Sequence, residues 1–295
     1  MATVSSGSKA ERFGFIADYG SVLGVRYLCD WLKVSANGFY KWRKRPESQR
    51  NKENKILIAK IELLFKKHRG NYGSPRIHAE LRRQGIIVNH KRVERLMRHA
   101  GLVGKAAVIY RRKPAPDKFY TKMDNLRKDL PIPEKKNEQW VADLTYLKVA
   151  GEWRYLAVVM DLFSRRIIGW SLGKNKTAEL TRQSLRAALK HRDVKPGLIF
   201  HTDRGSEYGA YIIQDELRLE GALASMNRPS AVTDNAHMES FFQSMKTEAI
   251  HGINFSTEHD LRMAISYYIN RYYNRERLHS SIGYVSPVNY EAMAA

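Results

Sequence analysis

The chain has 295 residues, 43% of them hydrophobic, and a formal net charge of +21. This length allows one large domain or two modest ones, and the apolar fraction is enough for a packed core. No apolar run approaches the roughly 18 residues that span a membrane, and residues 1–15 lack the apolar segment of a signal peptide. The only cysteine, Cys29, excludes an intrachain disulfide and a cysteine-rich zinc site. We therefore expect a soluble intracellular protein.

The positive charge is concentrated in the first half of the chain. Residues 1–139 carry 32 Lys and Arg against 13 Asp and Glu, whereas residues 140–295 carry 19 against 17. This division predicts that one part binds a polyanion while the other performs a different task. A basic surface that serves only solubility is the alternative.

Two short helices around a tight turn are predicted near the N-terminus. The first covers 26–32, the dipeptide Lys33-Val34 interrupts it, and the second begins at Ser35, a good N-cap residue. This arrangement fits a helix-turn-helix unit, although many helical hairpins bind nothing. Lys41 and Arg43, on the aromatic and basic second helix, are candidate DNA contacts.

A second group of helices is predicted between residues 57 and 101. Leu57, Ile61, Leu64 and Phe65 form an apolar stripe, and Ser74-Pro75 reads as an N-cap followed by proline at the first helical position. Asn89 is predicted to cap a further helix whose buried stripe comprises Val93, Leu96, Met97 and Ala100. The cationic side chains away from that stripe suit contact with DNA phosphates or entry into a groove; they are His90, Lys91, Arg92, Arg95 and Arg98, to which Arg76 is added from the preceding helix. A solvated charged face is the alternative.

Residues 111–138 contain four prolines and little periodicity, which is typical of a linker. We therefore predict a helical basic DNA-binding region over 1–110, a linker over 111–138 and a catalytic region over 139–295.

The pattern changes to strands from Gln139 onward. Strands are predicted at 139–149, 155–161, 166–172, 198–203 and 222–226, and helices at 177–191, 209–220 and 258–274. Short loops join the first three strands as an antiparallel meander, while helical crossovers make the later strands parallel. This order predicts an α/β fold with a ribonuclease-H-like mixed five-stranded sheet.

Three carboxylates stand at informative places in this pattern. Asp143 interrupts an otherwise apolar strand, Asp203 ends a second one, and Glu239 lies early in a predicted helix. A carboxylate in a central strand is costly unless it is paired or binds a metal. Asp161 is interpreted as structural, and Glu207 is a weaker alternative ligand.

The helix that carries Glu239 is predicted to be capped by Thr233 or Asp234. Its buried face is formed by Met238, Phe241, Phe242, Met245 and Ala249, and its polar stripe by Asn235, Glu239, Gln243 and Lys246. Asn235 and Gln243 are supporting positions, and Lys246 lies two turns from Glu239, where it could contact nucleic acid.

Grouped carboxylates without cations would raise one another's pKa values. Two Mg²⁺ ions would remove this repulsion, because magnesium prefers hard oxygen ligands and a pair of ions serves in-line displacement at phosphorus.

The chain resembles the second-reading-frame transposase of insertion sequence family three, within the DDE transposase and retroviral integrase superfamily. The motifs that carry the resemblance are LKVSANGFYKW, NYGSPRIHAEL, VNHKRVERLM, WVADLTYL, HTDRGSEY, SMNRPSAVTDNAHMESFFQSMKTE and YYNRERLHSSIGYVSP. The resemblance implies an integrase catalytic core in which Asp143, Asp203 and Glu239 are catalytic and bind Mg²⁺, with Mn²⁺ as a substitute. It also implies that Lys246 contacts DNA near the cleavage point.

The implied activity is metal-dependent cleavage and strand transfer at the ends of a mobile element. We expect DNA ends and target DNA as partners, a homomultimer in the synapse, and in some settings the first-reading-frame protein of the same element. A bacterial cytoplasmic, nucleoid-associated location follows from these partners. A transposase-derived DNA-binding regulator without catalysis is the main alternative; a simple nuclease and a tyrosine recombinase fit the motifs less well.

Overall fold

The computed structural model describes residues 7–46, 48–105, 123–228 and 232–294. The chain divides into two compact units, Met1–Leu63 and Leu64–Ala295. Within the described ranges, no helix combines the length and apolarity that a bilayer crossing requires. The predicted linker is described only from residue 123, and its first part, 111–122, lies outside the described residues.

The first unit is helical, as predicted. Helix α1 covers Lys9–Leu23, α2 covers Val25–Trp31, α3 covers Ala36–Lys44, and α4, Gln49–Lys67, begins in this unit. Phe13, Ile16, Leu28, Leu32 and Phe39 form its buried core. Ser35 caps α3 by accepting the Gly38 N–H, which confirms the predicted start of that helix. Helix α1, which the sequence did not predict, supplies two of the core side chains.

The second unit begins with two more helices, α5 at Ser74–Arg83 and α6 at His90–His99. Asn89 caps α6 by accepting the Lys91 N–H at 2.8 Å, as predicted. The prediction for Ser74 was wrong by one position, because Gly73 is the N-cap of α5 and has no side chain to accept a bond. The Ser74 hydroxyl lies instead 3.3 Å from Nε2 of His90.

The sheet has five strands in the order β3-β2-β1-β4-β5. The strands are β1 Gln139–Val149, β2 Glu152–Asp161, β3 Ile167–Gly173, β4 Ile199–Thr202 and β5 Leu223–Met226. The β1–β2 and β2–β3 pairs are antiparallel, and β1–β4 and β4–β5 are parallel. The predicted mixed ribonuclease-H-like order is therefore confirmed.

Helices cover the sheet and complete the unit. They are α7 Ala178–Lys190, α8 Tyr211–Leu219, α9 Ala236–Met245, α10 Glu258–Ser266 and α11 Pro287–Met293. Helices α9 and α10 each continue into a wider π-helical turn, Lys246–Ile250 and Tyr267–Tyr273 respectively. Residues 123–138 lie against the core, since Leu126 N–H donates to Ser225 Oγ at 3.0 Å and Met226 N–H donates to Asp124 O at 3.2 Å.

Helix α7 approaches β3 very closely at Gly169. A Cβ atom there would lie 2.2 Å from the Ser184 carbonyl oxygen and 2.7 Å from the Ala188 backbone nitrogen. Because both obstacles are backbone atoms of a regular helix, no side-chain rotation can make room.

We expect Gly169→Ala to lower the free energy of unfolding by about 2–3 kcal/mol, since the helix must move away from the sheet. Chemical denaturation monitored by circular dichroism measures this change. Gly14→Ala, within α1, is the control, because a Cβ there meets no atom within 4 Å. Equal stability of the two variants would contradict the close approach.

His68 is a buried histidine whose ring nitrogens have no hydrogen-bond partner among the described residues. Its ring stacks on Tyr72 at 3.8 Å between centroids. Burial lowers the pKa of His68 to about 4; the charge of Glu80 opposes this shift, and the charges of Lys67 and Arg76 add to it. The unfolded chain therefore takes up this proton first as the pH falls, so stability is lost between about pH 6.5 and pH 4.

We expect His68→Phe to reduce the acid-induced loss of stability by up to roughly 3 kcal/mol, because the ring can still stack but no longer titrates. Denaturation curves at pH 7 and at pH 4 measure the difference. Substitution of the exposed His251 by Phe is the control and should leave the pH dependence unchanged. A His68→Phe protein with the wild-type pH dependence would refute this assignment.

Candidate active site

The parallel pair of β1 and β4 brings two of the three predicted carboxylates together. Trp140 pairs with Phe200 and Val141 with His201. Asp143 and Asp203 each lie two residues beyond the Val141–His201 pair, Asp143 still within β1 and Asp203 directly after the end of β4, so the two acids stand side by side. Oδ1 of Asp143 accepts the Leu144 N–H at 2.7 Å, and Oδ1 of Asp203 accepts the Gly205 N–H at 3.1 Å.

A tyrosine and a third acid lie beside this pair. Tyr208 is 1% exposed, and its hydroxyl has no hydrogen-bond partner among the described residues. Burial raises the pKa of Tyr208 well above its usual value, and the charges of Asp143, Asp203 and Glu207 raise it further. The region around Tyr208 is therefore strongly negative.

Lys176 is the cation that the structure places against these acids, and the sequence analysis missed it. Its Nζ lies 2.9 Å from Oε1 of the buried Glu207. Burial opposes the charge on Lys176, but its bond to Glu207 and the nearby charges of Asp203 and Asp143 leave its pKa raised. Because Glu207 is paired with a lysine, it is a poor candidate for the alternative metal ligand that the sequence analysis considered.

Glu239 is carried by α9, which packs against β1. Nδ2 of Asn235 donates to the Ala142 carbonyl at 3.0 Å, one residue before Asp143. Glu239 follows one helical turn after Asn235 and is exposed. The buried face of α9 is confirmed for Met238, Phe241, Phe242 and Met245.

The predicted cap of α9 is wrong. Asn235 is the N-cap residue, and it makes no capping bond with its side chain. Asp234 is instead held by Arg228 at 2.8 Å and by Asn125 at 2.7 Å. Arg228 is the main reason that the pKa of Asp234 is lowered to about 2. The side chain of Thr233 lies outside the described residues.

Over residues 7–46, 48–105, 123–228 and 232–294, no three His, Cys, Asp or Glu side chains form a group that could hold a metal ion. The structure thus brings Asp143 and Asp203 together, but it does not assemble all three acids as a ligand group. Two features would suit a cation beside Asp143 and Asp203. The first is the hard carboxylate oxygens of these two aspartates. The second is a pair of buried oxygens that have no hydrogen-bond partner among the described residues, Tyr208 Oη and Asn235 Oδ1.

A face with aromatic and cationic side chains lies near the end of β1, formed by Tyr146 and Lys148 of β1, Trp153 of β2 and Lys246, which follows α9; we call it the aromatic face. Tyr146 and Trp153 are about half exposed, and their rings meet edge-on at 5.0 Å. Lys246 Nζ lies 4.8 Å from the Tyr146 ring centre, and Lys148 Nζ lies 5.9 Å from that of Trp153.

The basic residues predicted to contact DNA occupy different environments. Those that are exposed are Lys41, Arg43, Lys91, Arg95 and Arg98. Arg98 pairs with Glu94 at 2.8 Å, and Arg92 is half-buried. Arg76 points into the second unit, where its Nε donates to the Leu278 carbonyl at 3.0 Å. Gln243 is half-buried on α9.

Asp161 and His201 have structural surroundings. Asp161 is fully buried and accepts the N–H groups of Asn137 and Phe163. Burial raises the pKa of Asp161 to about 6 despite these bonds. The ring of His201 is held between Ser225 Oγ and Asn227 Oδ1, each at 2.8 Å.

Comparison with known proteins finds three family models along the chain. An HTH-like domain matches residues 52–113, and two integrase core domain models match 133–231 and 239–294. The transposase for insertion sequence element IS904 of Lactococcus lactis is 38% identical over 84% of this chain and 98% of its own length. Transposase InsF for insertion sequence IS3A of Escherichia coli is 35% identical over 95% of this chain and 98% of its own length.

Solved structures with a similar fold are more distant. A simian T-cell lymphotropic virus intasome, in complex with a PP2A regulatory subunit, has a TM-score of 0.47 and 16% identity over 79% of this chain and 74% of that one. The HTLV-2 integrase catalytic core domain in complex with magnesium has a TM-score of 0.39 and 16% identity over 53% of this chain and 97% of that one. These distant likenesses add nothing to the assignment.

The two transposases match this chain over almost their full lengths, and the integrase core models cover the sheet and α9 to α11. The helical region before the sheet matches the HTH-like model over residues 52–113. The chain therefore belongs to the family of insertion-sequence transposases with an integrase core, the DDE transposases, which are polynucleotidyl transferases.

Proposed function

We propose that Asp143, Asp203 and Glu239 are the catalytic carboxylates of this transposase and that they would hold two Mg²⁺ ions. The side-by-side placement of Asp143 and Asp203 on β1 and β4 is the observation that carries the proposal. Glu239 would complete the group from α9, which contacts the same strand.

When bound, the ions would supply Lewis-acid stabilisation of the charge that develops on the attacking and leaving oxygens at phosphorus. The residues of the chain define where this happens. The β1–β4 pair orients Asp143 and Asp203, and the Asn235 bond to Ala142 fixes α9 and therefore Glu239. Lys176, paired with Glu207, limits the repulsion among the acids.

The reaction has two displacements at phosphorus. In the first, a water oxygen forms a bond to the phosphorus at the element end, and the 3′ oxygen leaves and takes up a proton. In the second, that 3′-hydroxyl attacks a phosphodiester of the target, the bond from this phosphorus to the target 3′ oxygen breaks, and the leaving oxygen takes up a proton in place of the one that the attacking hydroxyl releases. No covalent bond between protein and DNA is involved.

We propose that the aromatic face, which includes Lys246, contacts the reacting DNA strand. An ammonium group can neutralise a phosphate, while exposed tyrosine and tryptophan rings can stack on unpaired bases. The exposed cations of α3 and α6, namely Lys41, Arg43, Lys91, Arg95 and Arg98, would hold the flanking duplex. Element ends and target DNA are the proposed substrates, with a homomultimer and the first-reading-frame protein as partners on the bacterial nucleoid, and Mn²⁺ as a substitute ion.

We expect Asp143→Asn and Glu239→Gln each to reduce cleavage and joining by more than roughly 100-fold, since even changes to residues behind the metal ligands cost about 10–100-fold. The measurement is strand cleavage and joining on labelled DNA that carries the element's own ends, with and without Mg²⁺. Glu220→Gln, at an exposed position at the end of α8, is the matched control and should keep full activity.

Retained binding to the same DNA, measured by anisotropy, would show that the Asp143 and Glu239 variants are folded. Wild-type activity in either variant would refute the assignment of that carboxylate. Binding without any cleavage by the wild-type chain would favour the alternative of a transposase-derived regulator.

We expect Tyr146→Ala to weaken binding of DNA with an unpaired end by about 1–3 kcal/mol, because one stacking surface is lost. Binding of fully paired duplex should change little. Lys246→Ala should weaken both and reduce the salt dependence of log K by about 0.9. Lys190→Ala, at an exposed site at the end of α7, is the control for charge. Equal effects of Tyr146→Ala on both DNAs would contradict a stacking role.

A further inference from the structure

A second site rich in positive charge lies in the Leu64–Ala295 unit, in a cavity of about 260 Å³. Three arginines line it: Arg76 from α5, Arg165 from the β2–β3 turn and Arg277 from the C-terminal segment. None of the described residues that line it is acidic. We call it the arginine pocket.

The arginine pocket and Glu239 lie on different stripes of α9. The pocket is lined by His237, Ser240 and Ser244, which are three and four residues apart and therefore neighbours on the helix surface. Asn235 and Glu239 form the other stripe. The pocket is consequently a separate site from the three carboxylates.

One of the three arginines is already neutralised. Arg277 and Glu248 are both nearly fully buried, and their side chains form three hydrogen bonds of 2.8–3.1 Å. Burial alone would lower the pKa of Arg277, but the charge of Glu248 raises it. Arg277 thus lines the pocket, but its pairing with Glu248 means that it adds no net charge there.

The other two arginines have no carboxylate partner among the described residues. Arg76 donates to the Leu278 carbonyl and lies 5.7 Å from the centre of the Tyr72 ring. Arg165 forms neither an ion pair nor a hydrogen bond within the described ranges, although its guanidinium is largely buried. Burial lowers the pKa of both guanidinium groups, which shows that each charge is desolvated without full compensation.

A buried nitrogen also lines the cavity without a partner. His279 is 8% exposed, and its Nε2 has no hydrogen-bond partner among the described residues. The exposed hydroxyls of Ser240, Ser280 and Ser281 stand at the opening. Two guanidinium groups without a carboxylate partner among the described residues, a buried imidazole and several hydroxyls make a site whose chemistry suits an anion.

We propose that the arginine pocket binds a phosphate group, either a phosphodiester of bound DNA or a free phosphate. Guanidinium groups match phosphate oxygens with paired hydrogen bonds. Arg76 and Arg165 come from separate elements, and the serines that also line the pocket add hydroxyl donors, so the site offers enough donors for the several oxygens of a phosphate. The proposal does not depend on the assignment of the three carboxylates, because no catalytic step passes through this pocket.

The test compares the thermal stability of the full-length chain in potassium phosphate and in potassium chloride at equal ionic strength. At roughly ten times the Kd, phosphate should raise the ratio of folded to unfolded protein about elevenfold, which corresponds to a shift of a few degrees in Tm. Arg165→Gln removes one cation, and Ser240→Asp places a negative charge at the opening without touching the interior. Arg275→Gln is the matched control, since Arg275 is exposed and does not line the pocket.

The wild-type and Arg275→Gln proteins should show the phosphate-specific shift, and Arg165→Gln and Ser240→Asp should lose it. If Arg165→Gln does not fold, as judged by circular dichroism, Ser240→Asp alone decides. An equal shift in all proteins would mean that phosphate stabilises the chain only as a general salt effect, and the proposal would be overturned.

A second arm distinguishes the source of the phosphate. Binding of a labelled duplex is measured with and without phosphate at constant ionic strength. If a DNA phosphodiester occupies the pocket, phosphate should weaken duplex binding severalfold in the wild type but not in Ser240→Asp. If phosphate stabilises the wild type without weakening duplex binding, the ligand is a free phosphate. If the wild-type protein binds phosphate in the arginine pocket but cleaves no DNA, the proposal for the pocket stands and the proposed function fails.

Discussion

The parallel pairing of β1 with β4 at the centre of the sheet is the contact on which the rest of the molecule depends. Strand β1 pairs with β2 on one side and β4 on the other, and the register with β4 aligns Asp143 with Asp203. Because side chains alternate along a strand, a slip of one residue would send one carboxylate to the opposite face of the sheet. The buried apolar residues on both faces of β1 prevent such a slip, so packing energy maintains the alignment of the acids.

Helix α9 connects this sheet to the rest of the unit. Its apolar side chains pack into the core, and Asn235 binds the β1 backbone next to Asp143. Its exposed stripe carries Glu239, while another stripe lines the arginine pocket. The C-terminal segment is held against it by the buried Arg277–Glu248 pair. Helix α9 is therefore in contact with both the proposed catalytic carboxylates and the arginine pocket. A shift of α9 would affect both sites.

Much of the fold was predictable from local patterns. The five strands were predicted within three residues of their ends, because alternating apolar runs and short loops leave few alternatives. Ser35 and Asn89 were recognised as caps because each accepts a bond from its own helix. Ser74 and Asp234 were misassigned because distant partners occupy their side chains: His90 for Ser74, and Arg228 with Asn125 for Asp234. A local pattern contains no information about such partners.

The sequence by itself determined the order and type of most elements, the basic charge of the first part, and the positions of Asp143 within a strand, Asp203 at the end of a strand and Glu239 near a helix start. Only the tertiary structure decided which groups surround them. Lys176 reaches Glu207 from thirty-one residues away, Tyr146 is exposed beside Lys246, and Arg76 lies against the C-terminal segment. These contacts join residues far apart in the chain, and their formation depends on how the helices pack rather than on any local propensity.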